Sequence, residues 1–314
     1  MDRTGQWRRK IATSNGHLSP SGGRHSDTMR GIMLMATGMF MFSAVDTMAK
    51  FLTDTIHPFQ IVWCRQLGLL LGVFLLISLK GKSVLVSANP KLQIARGALA
   101  AVSATLFIIG VKFVPLADAV AITFVAPFMV TVMGALILRE PVGIRRWSAV
   151  LIGFIGTLIV IRPGLGVLHP AAGLLVIAAS AFALRQILSR VLAGGDSAGT
   201  TVAYTAIVSC ALLTVPMLFV WEPPSSTTEI ILLVAMAVLA ACGETLVIMA
   251  LDAAQAVVVA PLQYTLLIWG TFYGFVVFGQ FPDAWTWFGA MIIVATGIYT
   301  LNRERLALQR APKQ

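Results

Sequence analysis

Apolar residues in this chain come in long blocks and do not alternate. From Arg30 to Leu301, largely apolar runs of about 20 residues are separated by short breaks, the length a helix needs to cross a hydrocarbon layer about 30 Å thick. The pattern predicts helices near 30–52, 59–79, 97–114, 117–138, 146–162, 170–191, 198–221, 229–250, 255–278 and 284–302. Inside lipid each segment must satisfy its own backbone hydrogen bonds, so these runs imply an all-α membrane protein of about ten spans. Composition agrees. Of 314 residues, 58% are hydrophobic and 11% charged, and the mean hydropathy is +0.86, outside the range of a water-soluble domain.

The formal charge of +10 changes the picture only through where the charges fall. Most of the 23 basic residues lie in the amino-terminal tail, in 80–96, in 139–146, at Arg190 and in 303–313, all on one side of a ten-span topology. The positive-inside rule makes that side cytoplasmic. Residues 1–28 are polar and basic without a signal peptide's apolar centre, and are expected to form a disordered cytoplasmic tail; 303–314 reads as a second basic tail. These tails can meet anionic lipid but supply no folded element for reading nucleic acid. Cys64, Cys210 and Cys242 lie in apolar runs without paired spacing, and the four histidines lie outside the spans. Neither metal nor cofactor is expected.

Asp118 to Pro127 (DAVAITFVAP) is echoed by Asp252 to Pro261 (DAAQAVVVAP), and Leu138-Arg139-Glu140-Pro141 before Trp147 by Gly279-Gln280-Phe281-Pro282 before Trp285. Two five-span halves follow, about 29–162 and 170–302. An odd number of spans turns the second half upside down, the inverted repeat of many secondary carriers. Pro127 and Pro261 occupy matched positions, where each deletes a backbone hydrogen bond and breaks its span.

Charges within spans cost about 2.5–3.5 kcal/mol or more and are kept when paired, hydrated or used. Asp46 and Arg65 lie at matching depth, about 9 Å from one face, and Arg185 and Glu244 match in the other half. Two pairs near opposite mouths of a cavity are expected, as gates, solute ligands or static ion pairs. Arg65 offers a guanidinium fork suited to carboxylate or phosphate; Arg185 could instead snorkel to the interface. Gln263, Tyr264 and Trp269, with Tyr204 and Tyr273, bring hydrogen-bonding or stacking groups into spans seven and nine, where some could line a cavity for a planar or amphipathic solute. Gly68/Gly72 and Gly270/Gly274 have the spacing of close helix packing.

Several motifs in order resemble the drug/metabolite transporter superfamily, in particular its EamA-type members: Ile61-Val62-Trp63-Cys64-Arg65, Pro115 to Pro127, Leu138-Arg139-Glu140-Pro141-Val142-Gly143 ahead of Trp147, Gly153-Phe154-Ile155-Gly156, and Arg162-Pro163-Gly164. Gln280 departs from the pattern, standing where members commonly carry the glutamate represented by Glu140. The resemblance implies a cytoplasmic-membrane carrier of small metabolites, often an exporter of amino acids or related compounds, although similar proteins include importers of riboflavin or S-adenosylmethionine.

The expectation is therefore a secondary transporter of a small polar metabolite (amino acid, amine, flavin or nucleoside-like cofactor), working by alternating access as an exporter or exchanger. Proton or counter-solute coupling and a homodimer are left open. The chain lacks the HExxH, GxSxG and clustered aspartates that an intramembrane lipid-modifying enzyme would use, and a non-transporting scaffold is the remaining alternative.

Overall fold

The computed structural model describes residues 22–139, 143–162, 169–192, 195–254 and 256–310, all helix and connection, with no strand among them. Helix α1 covers Gly22–Leu52, α2 Pro58–Lys80, α3 Pro90–Phe113, α4 Leu116–Thr123, α5 Ala126–Ile137 and α6 Ile144–Ile161. The second half holds α7 Ala172–Leu192, α8 Ala198–Val220, α9 Thr227–Ala253, the short α10 Ala256–Val259, α11 Thr265–Phe278 and α12 Ala284–Arg310. Eight spans are long and apolar enough to cross a membrane, and Trp147–Ile161 and Ala284–Thr300 are shorter apolar helices that complete ten.

Local signals set the boundaries. Pro58 and Pro90 open α2 and α3, where a missing N–H costs nothing. Ser197 and Ser226 accept hydrogen bonds from Thr200 N and Glu229 N at the starts of α8 and α9, and Glu229 reciprocates by accepting from Ser225 N at 2.7 Å. Two expectations about the ends change. The first helix begins at Gly22, inside the stretch read as a disordered tail, and α12 runs on to Arg310; residues 1–21 and 311–314 lie outside the described ones.

The helix partners repeat. Helix α1 packs on α9 and α7 on α3; α2 packs on α9 and α8 on α3; α1 meets α11 and α7 meets α5. Exchanging the halves converts each contact into its counterpart, and the α2–α8 and α6–α12 contacts map onto themselves. That is how two five-span repeats related by a pseudo-twofold axis pack. On the axis α6 and α12 cross at glycines: a Cβ on Gly289 would stand 2.6 Å from Gly156 O, so only hydrogen fits there. Outward positions are apolar and exposed, Phe219 at 84% and Ile144 at 82%, as a lipid-facing surface requires.

Candidate transport site

The helix of the fourth span stops at Thr123 and restarts at Ala126, placing Pro127 in the first turn of α5. The ninth span ends α10 at Val259 and passes through a 3₁₀ turn, Ala260–Tyr264, that contains Pro261. In both, proline removes an N–H that an unbroken helix would need. The two interruptions touch: the ring of Phe124 lies 4.9 Å from that of Tyr264. Tyr264 is buried, and its hydroxyl fills the space left by the absent side chain of Gly297.

Helices α1 and α2 bring Asp46 and Arg65 together, Oδ1 to Nη1 at 3.7 Å, with side chains 15% and 20% exposed. Arg185 on α7 lies within electrostatic reach of both Glu244 on α9 and Arg65. Arg185 therefore feels charges from both halves. Arg185 and Glu244 close no ion pair among the described residues. The Arg185 guanidinium instead lies 4.6 Å over the Phe182 ring, and its Nε is buried without a hydrogen-bond partner.

Aromatic rings join α1 to α11. Phe40 meets Trp269 edge-on at 5.0 Å and Tyr273 at 5.7 Å, and Phe272 continues the cluster. Gln263 is exposed on the 3₁₀ turn, with no contact to the Asp46–Arg65 pair among the described residues. Tyr204 donates to Leu85 O at 3.2 Å, which makes it a tie to the α2–α3 connection.

Sequence reasoning missed several charged groups. Lys50, within the first span, is buried and donates from Nζ to Val111 O at 2.7 Å and Val114 O at 2.6 Å. It thus caps the carbonyl end of α3, where a cation is favoured. Arg96, read as an inner flank, donates to Ser189 Oγ at 2.7 Å and to Thr205 Oγ1, joining α3 to α7 and α8. Asp196 accepts from Ser87 Oγ, Ala88 N and Gln93 Nε2 at 2.6–2.8 Å, and these bonds, the Ser87 hydroxyl's first, hold its carboxyl below the usual range. Arg162, in the left-handed conformation at φ 48°, pairs through Nη2 with Asp283 Oδ2 at 2.6 Å. Partial burial works against Asp283's charge, but the Thr286 N–H, which donates to its Oδ1 at 2.8 Å, and Arg162 together hold its carboxyl low.

The profile of the EamA-like transporter family matches residues 29–162 and again 169–303. The chain belongs to the EamA-like transporter family. It is similar to the S-adenosylmethionine uptake transporter of Rickettsia prowazekii, 26% identical over 284 residues that span 89% of this chain and 95% of the relative. The riboflavin transporter of Vibrio cholerae serotype O1 is 31% identical over 61% of this chain and 64% of its own. The pseudopaline exporter of Pseudomonas aeruginosa is 25% identical over 88% and 96%. A solved crystal structure 17% identical in sequence superimposes with a TM-score of 0.61 over 90% of this chain and 99% of its own, which shows a shared fold. The double match shows a two-repeat architecture, with one broken span, the fourth or the ninth, in each repeat.

Proposed function

We propose that the chain is a secondary carrier of a small polar metabolite bearing a carboxylate or phosphate, with Arg65 and Arg185 facing its anionic part and Asp46 and Glu244 its cationic part. The observation that carries this is the open donor of Arg185. A buried donor left unmade costs about 1–3 kcal/mol, so a solute that supplies an acceptor recovers that cost as affinity. The S-adenosylmethionine carriers among the relatives move a molecule of this mixed-charge kind, which supports the reading. The symmetric packing of the halves supports alternating access, in which each half in turn lines the open side. Asp46 and Glu244 are the groups through which a proton or counter-solute would couple. The positive-inside pattern supports a cytoplasmic membrane with both termini inside, and transport, as export or exchange, needs no covalent step.

The test is counterflow in liposomes with pooled labelled amino acids, amines, flavins and nucleoside-like cofactors. Saturable exchange is expected. In Arg65→Ala half-saturation should weaken at least about thirtyfold, since stranding a buried charged partner costs about 2 kcal/mol or more. A folded protein that exchanges nothing, or an Arg65→Ala variant at wild-type affinity, overturns the proposal.

A further inference from the structure

At the end of the bundle away from its basic connections, two spans open on the same device. Each follows a His-Pro pair, His57-Pro58 at α2 and His169-Pro170 at α7. In each, the histidine Nδ1 accepts a hydrogen bond from the backbone N–H two residues on, from Phe59 at 3.3 Å and from Ala171 at 3.1 Å. Such an acceptor satisfies one of the N–H groups that a helix start leaves open, and the proline removes another at no cost. Each ring also stacks on a phenylalanine, His57 on Phe59 at 5.4 Å and His169 on Phe113 at 4.6 Å.

His57 caps and stacks within its own span, but His169 stands in the connection between the two halves. Its carbonyl accepts from Ala172 N at 2.9 Å, and Phe113 is the last residue of α3 in the first half. One imidazole thus fastens the start of α7 to the end of α3. Because both donors are backbone N–H groups, each Nδ1 is the bare nitrogen of a neutral ring that carries its hydrogen on Nε2. A second proton would turn Nδ1 into a donor facing a donor. The cap would be lost, and a positive charge would be left at a helix start, the end that repels it. Histidine is the side chain that makes this change between about pH 5 and 8. Facing His169 are Asp118, Arg162 and Asp283, which share with it the wall of a cavity of about 440 Å³. Lys112 precedes Phe113 on α3, and Lys50 lies within electrostatic reach of Asp118. Arg162 and Asp283 are already paired, so neither replaces the cap. We propose that His169 is an acid-released fastener between the halves: neutral, it caps α7 and holds it to α3, and protonated, it lets the first turn of α7 go. The bond stands at higher pH and is lost as pH falls through the titration of the ring. On the positive-inside orientation this end faces outward, so external acid works the switch, with or without a solute.

Hydrogen exchange of the full chain in lipid nanodiscs, followed at the start of α7 and referenced to the intrinsic rate at each pH, tests this. Protection is expected to fall about fivefold between about pH 8 and pH 5, the worth of one cap. His169→Asn keeps a side-chain acceptor that does not titrate, so its protection should stay level. His169→Ala should be as low at about pH 8 as wild type is at about pH 5, and His57→Asn should leave the fall at α7 unchanged. Nitrogen-15 spectra of the histidine-labelled chain, assigned by the signal missing in His169→Asn, should show a bare Nδ1 at about pH 8. A hydrogen on that Nδ1 overturns the proposal. So does protection that stays level in wild type, or that falls equally in His169→Asn.

Discussion

Replacing Gly68 by alanine sets two effects against each other. In a helix interior alanine is favoured over glycine by about 1 kcal/mol. Against that, a Cβ at Gly68 would stand 2.1 Å from Ala237 O, 2.5 Å from Ala237 C and 2.8 Å from Ala237 Cα. All three atoms are backbone and none can rotate aside, so α2 and α9 must part by about 1 Å to restore contact distance. A gap of that size forfeits about half of the dispersion attraction along the contact. Overpacking costs about 1–3 kcal/mol, and a backbone clash belongs near the top of that range, which leaves Gly68→Ala destabilised by about 2 kcal/mol. Gly72 is one turn further along the same helix with no atom within 4 Å of its added Cβ, so Gly72→Ala should gain up to about 1 kcal/mol. Thermal unfolding of both variants in the same detergent, followed by size-exclusion of the surviving fraction, should rank Gly72→Ala at or above wild type and Gly68→Ala below it. Equal melting, or the reverse order, would refute the close approach of α2 to α9.

Two further outcomes are expected. Lys50→Met strands the Val111 and Val114 carbonyls and should cost about 2–3 kcal/mol, whereas Lys112→Met, exposed on the last turn of α3, should stay within about 0.5 kcal/mol; matching melting shifts would remove Lys50 from its capping role. The Asp196 clasp follows pH. Because its carboxyl is held below the unfolded value, its stabilisation is fully present above about pH 4 and is lost as pH falls through the lower folded value. The melting gap between wild type and Asp196→Asn should be constant from about pH 7 to 5 and close in stronger acid, and a gap that closes near neutrality would contradict it.

The spans and the repeat were legible because both depend on order along the chain. Run length gives the helices, and the DAVAITFVAP/DAAQAVVVAP echo gives the halves and the paired breaks. Asp46 and Arg65 were legible because a charge in lipid is rare and depth is countable at 1.5 Å per residue. Azimuth was not. Helices such as α8 and α9 are apolar on every side, so nothing in their pattern says which face meets a neighbour. That is why Arg185 and Glu244 seemed a pair, and why Lys50 and Arg96 seemed interfacial when they turn inward onto α3 and onto α7 and α8. Asp118 was visible only as the opening of a repeat, since its burial depends on α11 and α12, far along the chain. Arg162 and Asp283 meet only because the halves close on each other.

One physical criterion sorts the charges that remain. A charge held in lipid or in a buried mouth is stable only when its hydrogen-bonding capacity is met. Lys50 meets two carbonyls, Arg96 meets Ser189 and Thr205, and Asp196 meets three donors. Their partners all belong to the protein, and each binds one helix or connection to another. Arg185 and Arg162 each retain a buried Nε that has no hydrogen-bond partner among the described residues. In a static bundle these open valences would only subtract from stability. The proposed carrier reading gives the Arg185 donor a use: a solute would take the place of the missing partner, and a site that satisfied itself in the empty state would have no reason to bind.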